Sequence, residues 1–428
     1  MINGFDPSTA AGLEPGLAEL VRRRQALLGP AYKLFYARPV EFVRGSGVYL
    51  YDPDGNEYLD AYNNVPSVGH ANAHVAEAVS AQLLQLNTHT RYAAAPILDY
   101  AERLLATHAP ALGNVMFTCT GSEAVDLSLR VARACTGRTG IAVTANAYHG
   151  VTSAAAEISP SFGPGVPLGT QVRTVPIGAA FADEVATAIA DLERHGIGFA
   201  ALIVDTIFSS DGIWTDPAGF LRPVADIVHA AGGLLIADEV QAGFGRTGSA
   251  MWGYQRHGVV PDLVTMGKPM GNGMPIAGLA ARPEVLAPFG ERARYFNTFG
   301  GNSVCVAAAS AVLDVIEAEG LRENALTTGG YLRDAICELA DKHPAIGDVR
   351  GAGLYTGIDI RNVAGQPDGE LAVSVVNGLR DRRVLISATG ADGATLKIRP
   401  PLPFGRGHAD RLVEALDAAL TDLASRVR

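Results

Sequence analysis

Two acids, Asp238 and Glu239, close an apolar run in "LLIADEVQAGFGRTG" (Leu234 to Gly248). Thirty residues later Lys268 stands in the glycine-rich "TMGKPMGNGMP", directly after another apolar run, "LVTM". A carboxylate at the C-terminal end of a buried parallel strand points into the crevice where such sheets bind ligands. A lysine just past a second strand end can meet it there. A pyridoxal phosphate (PLP) enzyme needs this pair: a lysine to form a Schiff base, and a carboxylate to keep the pyridine nitrogen protonated so that the ring draws electrons. Taken alone, one Asp and one Lys at strand ends are more often surface or ion-pair residues.

Two further segments shift that balance. In "TCTGSEAVDLSLRVARAC", Gly121 and Ser122 fall between a strand and a helix, where backbone N–H groups and the helix dipole can hold a phosphate. In "NAYHG", Tyr148 and His149 follow the next strand and offer a flat ring to stack on a flat cofactor. Phosphate cup, stacking ring, carboxylate and lysine thus occur in order at successive strand ends.

Gly243 to Gly248 also spell G-x-G-x-x-G, the dinucleotide fingerprint, and that reading fails. The fingerprint must open a helix and lead, about 20 residues on, to an acid that ends the next strand. Here the following "SAMWGYQRHGVVPD" is short and broken by glycine, and Asp262 precedes an apolar run. The fingerprint also belongs in the first βα turn, whereas several strands come before this one.

The elements that must position these residues follow from patterning. Residues 17–28 repeat Leu17, Leu20, Val21 and Leu28 at helical spacing, and "GVYLYDPDGNEYLDAY" reads as a hairpin. From about residue 75 to 300, short buried strands ("VMFT", "IAVT", "ALIVD", "LLIAD", "LVTM") alternate with helical stretches such as "FADEVATAIADLERHG". That alternation implies a mostly parallel sheet with helices on both faces. A long helical region, "SVCVAAASAVLDVIEAEG", leads to strands in "GDVRGAGLYTGIDI", "VLIS" and "LKIRPPL". The closing amphipathic helix carries Leu412, Val413, Leu416, Leu420 and Leu423 on one stripe. The expected arrangement is a large central α/β domain with a smaller domain built from both chain ends.

At 428 residues with a net charge of −10, the chain spans two to three domains' length and lacks the clustered cations of a nucleic-acid or anionic-membrane binder. No apolar run approaches the ~18 residues of a membrane helix. The N-terminus, with early acids and no apolar stretch, does not read as a signal peptide, so a cytoplasmic location is expected. Cys119, Cys135, Cys305 and Cys337 are expected as buried free thiols, and Trp214 and Trp252 as packing residues. His70, His74 and His108 show no metal spacing, and no metal site is expected.

Six ordered segments, "GVYLYDPDGNEYLDAYNNVPSVGH", "GSEA", "AYHG", "ADEVQAGFGRTG", "TMGKPMGNGMP" with "YFNTFGGN", and "LKIRPPL", resemble the class-III aminotransferases of PLP fold type I over nearly the whole chain. The resemblance implies an α/β fold whose large domain (residues 71–310) holds a mostly parallel seven-stranded sheet, with a small domain from residues 1–70 and 311–428. It implies that Lys268 carries the cofactor and Asp238 pairs with its ring nitrogen. Val240 would pack on the ring face opposite the stacking aromatic, Tyr148 or His149, and Gln241 would contact the ring hydroxyl. Gly121 and Ser122 would bind the cofactor phosphate, and Thr298 that of the neighbouring subunit, making the functional unit a homodimer.

Within the family, "YFNTFGGN", "DAYNNVPSVGH", "NTHTRY" and "GDVRGAGLYTGIDI" look most like the ethanolamine-phosphate phospho-lyase branch. Many relatives carry an arginine three residues before the paired prolines that binds a substrate carboxylate or pairs with a glutamate. Here that position is Lys397, followed by Arg399, and the family's partner glutamate is shortened to Asp205. A lysine is a point charge that cannot replace a bidentate guanidinium, which favours the phospho-lyase branch. Ser67, where animal phospho-lyases carry histidine, points the other way. Arg91, Lys397 and Arg399 are the candidate cations for a substrate phosphate, with structural salt bridges as the alternative for Arg91 and Arg399. Phosphate elimination and transfer of the amino group to a 2-oxo acid share their first steps, and both stay open. A regulatory PLP-domain protein would lack the lysine or the acid, and both are present.

Overall fold

The structure, a computed structural model, describes residues 2–427. Helix α1 (Pro15–Leu28) comes first, followed by strands β1 (Arg44–Ser46), β2 (Tyr49–Tyr51) and β3 (Glu57–Asp60). The β2–β3 hairpin turns through Asp52, whose carboxylate accepts the amides of Asp54 and Asn56. Helices α2 (Ala73–Gln85) and α3 (Ala95–Ala106) lead to β4 (Asn114–Thr118), α4 (Gly121–Thr136), β5 (Gly140–Thr144), α5 (Ser153–Ala156) and β6 (Val172–Val175). Then follow α6 (Phe181–Arg194), β7 (Phe199–Asp205), α7 (Arg222–Ala230), β8 (Leu234–Asp238), α8 (Gly253–Arg256), β9 (Leu263–Met266), β10 (Ala277–Ala281) and α9 (Pro283–Arg292). Helices α10 (Ser303–Ala318) and α11 (Leu321–Ala340) precede β11 (Ile346–Gly351), β12 (Thr356–Ile360), α12 (Gly369–Asp381), β13 (Val384–Leu385), β14 (Ser387–Thr389), β15 (Thr395–Ile398) and α13 (Arg406–Val427).

The central sheet has seven strands in the order β4-β10-β9-β8-β7-β5-β6, and only β10 runs against the rest. Strands β5, β8 and β9 are buried along their whole length, which is why they read as apolar runs. Two strands escaped the alternation pattern. Strand β6, "VRTV", lies at the sheet edge with two polar residues in its middle. Strand β10, "AGLAA", carries small side chains with little β preference, and tertiary pairing on both sides makes it a strand.

Both chain ends meet in one sheet, because β3 pairs in parallel with β13. The predicted "VLIS" strand is two pieces: β13 joins that sheet, while β14 leaves it at Ile386 to pair with β15. The stripe on α13 packs as expected, with Leu412, Leu416 and Leu420 buried. The stripe on α1 does not. Only Val21 is buried, and Leu17, Leu20 and Leu28 face an open apolar groove instead of the core. All four cysteines are free, but only Cys305 is buried: Cys119 and Cys135 are partly exposed, and Cys337 is exposed on α11. Trp252 is fully buried and stacks on His108 at 4.1 Å, whereas Trp214 is 41% exposed.

Helix α11 makes an unusually close approach. A Cβ on Gly329 would fall 1.8 Å from the Gly353 carbonyl oxygen, whereas one on Gly330 would meet nothing within 4 Å. Gly329→Ala is expected to destabilise the fold by about 1–3 kcal/mol through overpacking. Gly330→Ala is expected to stabilise it by roughly 0.5–1 kcal/mol through helix propensity. Urea midpoints of the two variants against the parent check the pair.

Candidate active site

Strand pairing sets Asp205, Asp238 and Thr265 side by side at the ends of β7, β8 and β9. Asp238 is buried and fully engaged. Its Oδ2 lies 2.7 Å from His149 Nδ1, and its Oδ1 accepts the Val240 amide at 3.1 Å and the Thr265 hydroxyl at 3.3 Å. A carboxylate can only accept here, so Nδ1 carries the imidazole proton. Asp205 accepts from Ile207 and Ser209 amides at 3.2 and 3.0 Å, yet burial and the neighbouring Asp238 charge raise its pKa. Glu239 turns away from the cavity. It accepts the Gly253 and Tyr254 amides and the Thr206 hydroxyl, and burial lifts it to about 7.

Lys268 begins two residues after β9, in a loop tied to the N-terminal part of the chain. The Ser67 hydroxyl donates to the Pro269 carbonyl at 2.9 Å, and Asn272 bridges the Val68 amide and the Gly69 carbonyl at 3.0 and 2.9 Å. Lys268 and Asp238 line one cavity of about 340 Å³. Burial, with the Arg399 charge behind it, pulls the Lys268 ammonium down to about 8, and Asp238 and Asp205 only partly offset this.

The same cavity is walled by Gly121 and Ser122 at the start of α4. Thr120 and Glu123 form a capping box: the Thr120 hydroxyl accepts the Glu123 amide, and the Glu123 carboxylate accepts the Cys119 and Thr120 amides. The next amides, of Gly121 and Ser122, have no intrahelical acceptor. Ser122 Oγ accepts the Val151 amide at 3.0 Å, which leaves its own hydrogen to donate. A Cβ on Gly121 would come within 3.0 Å of Val240, so the cup exists because that side chain is missing. These donors suit a phosphate.

Tyr148 and His149, left as alternatives by the sequence, divide the work. His149 is buried against Asp238, and Tyr148 stands at the cavity wall, edge-on to Phe162. Val240 and Gln241 also line the cavity. Gln241 Oε1 accepts from Tyr355 Oη at 3.0 Å and from Arg399 Nη1, and its amide nitrogen donates to Ser209 Oγ at 2.6 Å. One N–H of that amide remains for a ring hydroxyl. The chain therefore fits PLP: an anion cup, an aromatic wall, an apolar wall, a carboxylate and an amine face one space.

Four predicted residues lie elsewhere. Lys397 and Arg399 are buried behind Gln241. Lys397 Nζ donates to the Ser209 carbonyl at 3.1 Å, and Arg399 Nη1 to Asn64 Oδ1 at 2.8 Å with its guanidinium 4.3 Å from the Tyr62 ring centre. Burial and the Arg399 charge hold Lys397 well below the usual lysine range. Arg91 and Thr298 are exposed, and the Arg91 guanidinium sits 3.7 Å over the Phe296 ring. The residues that sequence reasoning missed are Tyr355, Ser209, Asn64 and Thr265. Each acts through a contact made across the fold, and only Thr265, at the end of "LVTM", had a positional signal. Among the described residues, no group of three or more His, Cys, Asp or Glu side chains could hold a metal ion, and no helix is long and apolar enough to cross a membrane.

A family model described as aminotransferase class-III matches residues 35–420. The chain belongs to the class-III aminotransferase family. It is a PLP-dependent enzyme with the fold of PLP fold type I. A phospholyase from Arthrobacter, solved in complex with phosphoethanolamine, superposes with a TM-score of 0.91 at 45% identity, covering 94% of this chain and 99% of that one. Ethanolamine-phosphate phospho-lyase homolog 1 of Caenorhabditis elegans is 37% identical, over 94% of this chain and 93% of that protein. An alanine–glyoxylate aminotransferase 2-like protein of Drosophila melanogaster is also 37% identical, over 94% and 87%.

An amine attacks an aldehyde only when neutral. Mixing apoprotein with PLP should give a cofactor absorbance band whose rate of growth rises with pH and levels off above about 8. A lysine at its ordinary value would still be gaining at pH ~10. Lys268→Ala should bind PLP without any band that borohydride can fix to the protein.

Proposed function

We propose that this enzyme is a phospho-lyase that converts a phosphorylated amino alcohol, ethanolamine phosphate, and water into acetaldehyde, ammonia and phosphate. The observation that carries the reading is the 45% identity, across nearly both whole chains, to a phospholyase solved with phosphoethanolamine. Its polar floor supports it. The family's carboxylate-binding arginine is Lys397, whose amine is turned onto the Ser209 carbonyl. A substrate carboxylate would find no guanidinium fork at that position.

Lys268 is placed to exchange protons with the substrate carbon that bears nitrogen. Asp238, steadied by His149 and Thr265, keeps a proton on the nitrogen it faces. Gly121 and Ser122 would hold the anionic end of the cofactor, and Tyr148 and Val240 would line its ring. PLP, when bound, supplies the electron sink that stabilises charge left by proton removal. Phosphate then departs from the neighbouring carbon with the electron pair of the broken C–O bond. Thr298, exposed on this chain, contacts the cofactor phosphate of a partner subunit in a homodimer. The free thiols suit a reducing compartment, and we place the enzyme in the cytoplasm.

A second reading, amine transfer to a 2-oxo acid such as pyruvate, is favoured by the 37% identical aminotransferase-like relative. Purified holoenzyme should release phosphate and ammonia in equal amounts from ethanolamine phosphate with no 2-oxo acid present. Lys268→Ala should lower kcat by roughly 10²-fold or more, as expected for loss of a general acid–base group. Amine transfer to pyruvate without phosphate release would replace the proposal by the second reading.

A further inference from the structure

We infer that the cation recognising the substrate phosphate is Arg91 of the partner subunit, delivered across a two-fold interface to the cavity mouth. This rests on the phospho-lyase reading above. A substrate phosphate entering a cavity that already holds Asp205 and Asp238 needs a cation of its own. Among the described residues, the cavity wall holds no basic side chain other than His149 and Lys268, and Lys268 is committed to the cofactor. Lys397 and Arg399 are turned inward onto Ser209, Asn64 and Gln241. The chain by itself leaves the second phosphate without a positively charged partner.

Arg91 is built for the task and stands in the wrong place within its own subunit. It is exposed and has no ion pair among the described residues. Its guanidinium is held flat on Phe296, whose ring is braced by His89, itself stacked on Tyr92 at 5.0 Å. The loop under it, through Gly300 and Gly301, wraps the outside of edge strand β4 against Phe117. Lys268 follows β9, two strands further in, and Asp238 ends β8, three strands in. At about 4.8 Å per strand these lie roughly 10 and 14 Å inward of β4.

The surface around Arg91 is the kind that a second copy covers. Leu84, Leu86, Tyr92 and Phe299 are 90%, 54%, 65% and 69% exposed. That surface also borders the cavity: Asn297 contacts Cys119 Sγ at 3.6 Å, and Cys119 and Thr120 are cavity walls. In a two-fold interface the same patch serves both copies, so if this patch of one copy covers the cavity mouth of the other, the exchange is mutual. Arg91 and Thr298 are then exchanged together.

Mixed dimers decide the matter. Arg91→Met, which keeps an apolar stem over Phe296, should lower kcat/KM for ethanolamine phosphate roughly ten- to a hundredfold, as for loss of a charged hydrogen bond. Its PLP band, and the spectral change on adding unphosphorylated ethanolamine, should match the wild type. Arg91→Met and Lys268→Ala chains carrying different tags, coexpressed and purified through both tags, give dimers with one arrangement of sites. Delivery in trans leaves one intact site and about half of the wild-type phosphate release per dimer. No recovery beyond the Arg91→Met level, an unimpaired Arg91→Met homodimer, or a monomer on gel filtration overturns the inference while leaving the phospho-lyase reading intact. Absence of phosphate release from the wild type removes both.

Discussion

The site depends on one buried negative charge. Asp238 ends a strand that is enclosed along its whole length, where an unpaired carboxylate would cost several kcal/mol. The fold offsets that cost with one imidazole N–H, one hydroxyl and one backbone amide, and each comes from a different element. Because the three donors are fixed by the sheet and by the loop after β5, the carboxylate has one orientation. The lysine shares its cavity from the loop after the adjacent strand, and its own depressed basicity comes from burial.

Behind this face lies a second layer of charge, most of it buried. Lys397, Arg399 and Arg246 are buried near Gln241 and Tyr355, Glu239 is fully buried, and Asp205 is partly exposed at the cavity wall. Burial works against both signs. It lifts Glu239 to about 7, and, with help from the Arg399 charge, lowers Arg246 to about 9. Gln241 links the layers, since its amide holds Ser209, Tyr355 and Arg399 at once. A change at any of these residues is therefore felt at Gln241 in the cavity wall.

The alternation of apolar runs with helices made the central sheet legible, and strand-end logic located Asp238, Lys268, Gly121 and Ser122 from the chain alone. The dinucleotide reading of Gly243–Gly248 was rightly discarded, for the segment runs through turns and opens no helix there. Sequence could not choose between Tyr148 and His149, because both follow the same strand and only the loop's path decides which one turns inward. The family resemblance placed Lys397 and Arg399 with substrate, whereas the fold turns them onto Ser209 and Asn64, residues far away in the chain. Strand β10 and the α1 groove were missed or misjudged for a related reason: pairing and burial there are decided by neighbours that local pattern does not contain.

The capping box of α4 has a consequence for any anion that enters. Glu123 already occupies the amides of Cys119 and Thr120, so its negative charge sits one step behind the free N–H groups of Gly121 and Ser122. A phosphate sliding backward would meet repulsion, and one sliding forward would run out of donors. The helix end thus forms a notch with a single stop, which would limit how deep a phosphate could seat there.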